Sequence, residues 1–72
     1  MPKLSALSHR QVIRILLSLG FSFVRQTGGH RMYRKASAGI TVPIHNKDLK
    51  KGTLRSIIKE TGLTVKEFMD LL

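Results

Sequence analysis

The stretch FSFVRQTGGHRMYRK, residues 21–35, has the composition of two short β-strands separated by a pair of glycines. Aromatic and β-branched residues are frequent before the glycines, as is typical of strands. Adjacent glycines can adopt the positive φ angles that a tight hairpin turn requires. The stretch therefore predicts a β-hairpin with strands at residues 21–27 and 30–35 and a turn at Gly28-Gly29.

A third strand is predicted soon after the hairpin. Residues 36–39 (ASAG) have the composition of a turn, and residues 40–44 (ITVPI) follow with an apolar side chain at every second position. Since successive strand residues point to opposite faces, the two isoleucines and the valine should share one buried face. Proline cannot donate to a sheet ladder, so Pro43 favours an edge position for this strand.

Sequence patterns typical of helices precede and follow the three predicted strands. Residues 8–19 begin with the capping-box pair Ser8 and Gln11 and carry apolar residues at helical spacing. Residues 51–61 carry a second apolar stripe, and a short third helix is predicted from Thr64, which has a glutamate three residues later. The predicted fold is α+β, in the order α-β-β-β-α-α, with the helices on one face of a three-stranded antiparallel sheet.

Length and composition indicate one small globular domain, residues 1–72, with 42% hydrophobic and 24% charged residues. A chain of this size buries only about 60% of its unfolded surface, so the core should be modest. The absence of cysteine excludes disulfides and thiolate metal sites and suits a reducing cytosol. The sequence contains neither the apolar run of a membrane helix nor a secretion signal at its start, so we expect a cytoplasmic protein.

The charge balance points to a polyanionic partner. Thirteen Lys and Arg against four Asp and Glu give a net charge of +9. Such an imbalance favours nucleic acid, whose phosphates attract cationic side chains. An anionic membrane is less favoured, because no predicted helix combines a clean apolar face with a fully basic one.

Several short motifs follow one another from the first helix to the end of the chain. In chain order they are Gly20-Phe21, Gly28-Gly29-His30, Met32-Tyr33-Arg34, residues 41–45 (TVPIH), residues 48–55 (DLKKGTLR), Ile57-Ile58-Lys59 and Gly62-Leu63-Thr64. With these motifs the chain resembles the HicA toxins of bacterial toxin–antitoxin systems. The resemblance implies a small mRNA interferase with a fold like the double-stranded RNA-binding domain, held inactive by a HicB antitoxin encoded beside it.

The resemblance marks His30 as the catalytic residue, because the family's Gly-x-His motif falls on residues 28–30. Many relatives carry serine where this chain has Gly29. The chemistry of the residue agrees with the assignment, since RNA supplies its own nucleophile, the 2′-hydroxyl, and imidazole can accept or donate a proton near neutral pH. The alternative is that His30 is an ordinary surface residue beside a turn.

His45 is the second candidate. Alternation along the third strand turns it away from the buried face, so it could act as a second proton-transfer group or contact a phosphate. His9, in the first turn of the first helix, is assigned no role. Phe21 and Tyr33 could stack on unpaired bases, but the favoured interpretation places them in the core.

Two groups of basic residues are predicted to bind RNA. The first lies around the start of the second long helix, where free backbone N–H groups and the helix dipole favour an anion; it consists of Lys47, Lys50, Lys51 and Arg55. The second is Arg31 with Arg34, close to His30 in the chain. Because these two arginines are an odd number of residues apart, they cannot line one surface unless a bulge intervenes.

The predicted activity is that of a metal-independent endoribonuclease without a cofactor, since four scattered acidic residues and no cysteine form no recognisable ligand set. Its products should carry a 2′,3′-cyclic phosphate and a 5′-hydroxyl. The antitoxin should cover the basic face, with an acidic contact surface or one that mimics RNA. The alternative function is a non-catalytic RNA-binding module. DNA binding is less favoured, because no helix-turn-helix pattern is present.

Overall fold

A computed structural model of the chain describes residues 4–72. The helices and strands, in chain order, are α1 (His9–Ser18), β1 (Ser22–Thr27), β2 (His30–Lys35), β3 (Ala38–Pro43), α2 (Lys51–Thr61) and α3 (Val65–Met69). The predicted α+β fold and the order α-β-β-β-α-α are confirmed. No helix within the described residues is long and apolar enough to cross a membrane.

The three strands form one antiparallel sheet in the order β1-β2-β3. The prediction, made from Pro43, that β3 lies at an edge of the sheet is therefore confirmed. This strand begins at Ala38, two residues earlier than predicted, because a two-residue turn lets Lys35 pair directly with Ala38. Ala36 adopts a φ of 53° in that turn, a left-handed conformation that is uncommon for a residue other than glycine.

Local signals begin and end the helices where the sequence predicts. Ser8 caps α1 through a complete capping box with Gln11, and Thr64 caps α3 in the same way with Glu67. Gly62 ends α2 with a φ of 80°, a conformation that glycine adopts without steric cost.

The core lies between the two longer helices and one face of the sheet. Both α1 and α2 contact β3, and the centre of the sheet supplies Tyr33 to the same core. The buried side chains are Leu7, Val12, Ile15, Leu16, Phe21, Tyr33, Ile40, Val42, Leu49, Leu54, Ile57, Ile58 and Phe68. Phe21 and Tyr33 are therefore core residues, which confirms the interpretation favoured over base stacking.

The helices leave β1 uncovered, and every residue of that strand is exposed. A β-bulge at Val24 interrupts the pairing of β1 with β2. The bulge places Phe23 opposite Tyr33, with the two rings edge to face and their centroids 5.8 Å apart. Aromatic pairs prefer this arrangement, so the contact contributes to holding the outer strand on the sheet.

Candidate nucleic-acid interface

The face of the sheet that the helices do not cover, here called the open face, carries His30. Residues directly opposite each other on neighbouring strands share a face, and His30 pairs with Thr27 on one side and with Pro43 on the other. Its side chain is exposed and lines a shallow depression whose other walls are Arg25, Thr27, Met32 and Thr41. A ligand on the open face would therefore meet an imidazole, a guanidinium and two hydroxyl groups together.

The hairpin turn sets the position of His30 at the first residue of β2. Gly28 takes a φ of 56°, while Gly29 is outside the left-handed region. This pattern is that of a two-residue turn with glycine at its first central position. The backbone N–H of Ile44 donates to the carbonyl oxygen of Gly29 at 2.6 Å, so the turn is also held by the chain that leaves β3.

Arg25 is a further candidate site residue, which the sequence did not reveal. It pairs with Met32, which in turn pairs with Thr41, so all three lie on the open face beside His30. The bulge at Val24 is what allows Arg25 to face away from the helices while Phe23 faces them. The only sequence signal was a basic residue in an exposed strand, and nothing in the sequence located the bulge.

His45 lies at the same end of the sheet as His30. It follows Pro43, the strand partner of His30, by two residues, and its side chain is exposed. The Nδ1 atom of His9 lies 3.0 Å from the carbonyl oxygen of His45. Since a carbonyl can only accept, Nδ1 must carry the proton in this contact. His9, which was assigned no role, therefore joins the start of α1 to the candidate site.

The structure places Arg31 and Arg34 on opposite faces, because β2 pairs regularly with β3 and the bulge lies in the other strand. Arg34 is on the open face with His30, whereas Arg31 faces the helices beside α1. The Nε atom of Arg31 donates to Oε1 of Gln26 at 2.9 Å. Only Arg34 of this pair therefore shares a surface with His30, and RNA binding by either arginine stays a prediction.

The start of α2 presents an exposed cationic cluster, formed by Lys47, Lys50, Lys51 and Arg55. Lys50 is the N-cap of the helix and makes no side-chain capping bond, and the first turn contains no acidic residue. The N–H of Leu49 donates to the carbonyl of Leu7 at 2.9 Å, which holds this segment beside the start of α1. The helix dipole and the lysines thus act in the same direction, toward binding an anion.

Most of the positive charge has no acidic partner. Within residues 4–72 the only ion pair joins Lys66 of α3 to Asp70, the C-cap of that helix, at 2.9 Å. The same residues contain no group of three or more His, Cys, Asp or Glu side chains that could hold a metal ion. The charges of the open face and of the α2 start are therefore available to an external anion.

Fold and site together define a small, basic α+β protein with an exposed imidazole beside cationic groups on an open sheet face. Residues 9–63 match the family model described as the HicA toxin of bacterial toxin–antitoxin systems. The chain belongs to the HicA toxin family, as its motifs predicted. No curated protein matches the sequence of this chain. The matched segment includes every candidate site residue and ends before α3.

Proposed function

We propose that this chain is the toxin of a toxin–antitoxin pair, a metal-independent endoribonuclease that cleaves mRNA in the cytoplasm and is blocked by a HicB-like antitoxin. The observation that supports this best is the setting of His30, which is exposed at the start of the central strand and shares a depression with Arg25. Imidazole can move protons near neutral pH, and a guanidinium stabilises charge on a phosphate.

The proposed reaction uses the 2′-hydroxyl of the RNA as the nucleophile. A base accepts its proton, O2′ forms a bond to the adjacent phosphorus, and the bond between phosphorus and O5′ breaks. An acid gives a proton to the departing O5′. The products are a 2′,3′-cyclic phosphate and a 5′-hydroxyl, and no external reactant is consumed.

His30 takes part in these proton transfers as the general acid or the general base. His45 is the candidate for the complementary transfer or for a phosphate contact, because it leaves the sheet next to the strand partner of His30. Arg25, which lines the same depression as His30, is the candidate to stabilise charge on the phosphoryl oxygens. Arg34 shares the open face but lies four residues further along β2, about 13 Å from His30, so it is a candidate for contact with a neighbouring phosphate. Removing one such donor from an enzyme commonly lowers kcat by about 10² to 10³.

Binding of the rest of the RNA is assigned to the cationic cluster at the start of α2. Its lysines and arginine follow His45 along the chain, in the segment that the hydrogen bond from the Leu49 N–H to the Leu7 carbonyl oxygen holds beside the start of α1. Double-stranded RNA is recognised largely through phosphate and 2′-hydroxyl contacts, which such a cluster can make. An antitoxin that covers this surface would block access of RNA to His30.

The decisive experiment is an RNA cleavage assay in the presence of a metal chelator, comparing the wild type with His30→Gln and His30→Ala. Glutamine keeps a polar side chain that can make hydrogen bonds but cannot exchange a proton near neutral pH. Lys59→Ala is the control, since Lys59 is exposed on α2 and lies outside the site. RNA affinity is measured for all four proteins in the same buffer.

The proposal predicts that both His30 variants lose cleavage by at least about 10², the lower range for general acid–base catalysis, while they still bind RNA. Analysis of the product ends should find the cyclic phosphate. If the wild type binds RNA but does not cleave it, the alternative of a non-catalytic RNA-binding module replaces the proposal.

A further inference from the structure

A second surface of the molecule lies on the other side of the sheet from His30. It is a groove of about 550 Å³ between α1 and the sheet, here called the α1 groove. Its lining residues are His9, Arg10, Ile13, Arg14, Leu17, Arg31 and Ile44. None of the residues around His30 in its depression on the open face contributes to it. The two surfaces therefore lie on opposite sides of the sheet, and His9 and Ile44 extend the α1 groove to the segment of His45.

The α1 groove combines a basic row with an apolar row. Arg10 and Arg14 are four residues apart on α1 and so lie one above the other, about 6 Å apart along the helix axis. Ile13 and Leu17 form a parallel row with the same spacing, and Leu17 is 52% exposed although it is a large apolar side chain. Arg31, held by Gln26 at 2.9 Å, adds a third guanidinium from the sheet.

Nothing within the described part of the chain compensates these charges. The first turn of α1 contains no acidic residue, and none of the groove arginines forms an ion pair within residues 4–72. Like charges four residues apart weaken a helix by about 0.2–0.5 kcal/mol. The groove thus keeps both an unfavourable charge pair and an exposed leucine, and a complementary partner would remove both penalties.

From this chemistry we infer that the α1 groove docks an acidic amphipathic helix of the antitoxin. Such a helix carries carboxylates and apolar side chains in adjacent rows that repeat every three or four residues, which matches the spacing of the two rows on α1. Guanidinium groups bind carboxylates in bidentate geometry, and the apolar row covers Leu17 and Ile13. The inference rests on the proposed function, since it assigns a contact surface to the inhibitor of that function.

An RNA strand fits this groove less well than a protein helix does. Phosphates would satisfy the arginines, but a sugar–phosphate backbone has no aliphatic side chains with which to cover Leu17. The surfaces best suited to RNA lie elsewhere, on the open face and at the start of α2. Docking in the α1 groove therefore adds a point of attachment outside the proposed catalytic surface.

The test measures binding of the purified HicB-like antitoxin of the proposed function, by calorimetry at about 0.15 M salt, where long-range charge effects are screened. Arg14→Glu is compared with Lys59→Glu, which makes the same charge change at an exposed site on α2. Leu17→Ser is compared with Leu71→Ser, whose leucine is 42% exposed near the end of the chain. Both groove residues are exposed, so the variants should fold, as thermal melts will verify.

Docking in the groove predicts that Arg14→Glu and Leu17→Ser each weaken antitoxin binding at least tenfold, while both controls stay within twofold of the wild type. Groove variants that bind the antitoxin as well as their controls do would overturn the inference. The inference would also be overturned if Arg14→Glu weakened binding of a single-stranded RNA oligonucleotide and left antitoxin binding unchanged. A wild-type chain that binds no antitoxin contradicts the proposed function itself, which is a distinct outcome.

Discussion

The Nδ1 atom of His9 lies 3.0 Å from the carbonyl oxygen of His45, so the first residue of α1 is bonded to the segment that leaves β3. Replacing His9 with alanine removes this contact between residues 36 apart in the sequence. We expect a loss of about 1 kcal/mol in the free energy of unfolding, the usual net value of one hydrogen bond, measured by urea denaturation.

The matched control for this prediction is His45→Ala. The contact uses the backbone carbonyl of His45, which the substitution leaves in place. His45→Ala should therefore unfold at nearly the wild-type urea concentration. Equal destabilisation by both substitutions would show that the contact between His9 and the carbonyl does not contribute as described.

The two turn glycines should respond differently to substitution. Gly28 has a φ of 56°, so Gly28→Ala should cost about 1–2 kcal/mol of unfolding free energy. Gly29 lies outside the left-handed region, and a Cβ there would meet only the carbonyl oxygen of Ile44, at an ordinary 3.6 Å. Gly29→Ser should therefore fold with nearly wild-type stability in urea titrations. A larger loss at position 29 than at 28 would contradict this account of the turn.

Phe68 is the fully buried residue of α3, and Val65 and Met69 pack against the same core while partly exposed. Phe68 is completely buried although its helix has only five residues. Phe68→Ala should lower the free energy of unfolding by about 3–5 kcal/mol, since it removes an aromatic ring from the core and leaves a cavity. Leu72→Ala is the control, because Leu72 is 59% exposed and should change stability little. Similar denaturation curves for the two variants would refute the packing described.

The pH dependence of stability should contain a contribution from Glu67. The hydrogen bond from the backbone N–H of Thr64, reinforced by the Thr64 side chain, lowers the pKa of Glu67 below its usual 4.5. A carboxyl whose pKa is lower in the folded state stabilises the protein above its unfolded pKa. That contribution is lost as the pH falls through the folded pKa.

Glu67→Gln tests this contribution, because glutamine can complete a capping box but does not titrate. The melting temperature of the variant should lie somewhat below that of the wild type at pH 7, and the two should converge as the pH falls below about 4.5, because only the wild type loses the contribution there. Parallel acid profiles for the two proteins would show that the Glu67 carboxylate does not contribute in the folded state.

Arg25 should act through the phosphate backbone of RNA. The logarithm of the RNA affinity falls linearly with the logarithm of the salt concentration, and each phosphate contact contributes about one unit or less to the slope. Arg25→Ala should reduce the slope by about one and weaken binding for all RNA sequences alike. Lys59→Ala should leave the slope unchanged, and an unchanged slope for Arg25→Ala as well would remove Arg25 from the interface.

Short-range signals predicted most of the secondary structure. The capping boxes at Ser8 and Thr64, the stop at Gly62 and the turn at residues 28–29 act through atoms only a few residues apart. For that reason they could be recognised without knowledge of the fold. The third strand was predicted two residues short, because an alanine with positive φ at position 36 is not a usual turn signal.

The candidate site was only partly predictable. The motif around His30 and the cationic start of α2 are contiguous in the sequence, and the structure exposes both. Arg25 was missed because its orientation depends on the bulge at Val24, and the bulge reflects how β1 pairs with β2. The role of His9 was missed because its partner is distant in the chain.

The sequence alone thus determined the elements, the basic character of the protein and the residues able to carry out proton transfer, since these depend on residue type and local spacing. Only the tertiary structure decided which basic residues share a surface. Arg34 lies with His30 and Arg31 lies in the α1 groove because strand register and the packing of α1 assign each side chain to a face. Register and packing are long-range properties, set by how distant segments bury their apolar surfaces against one another.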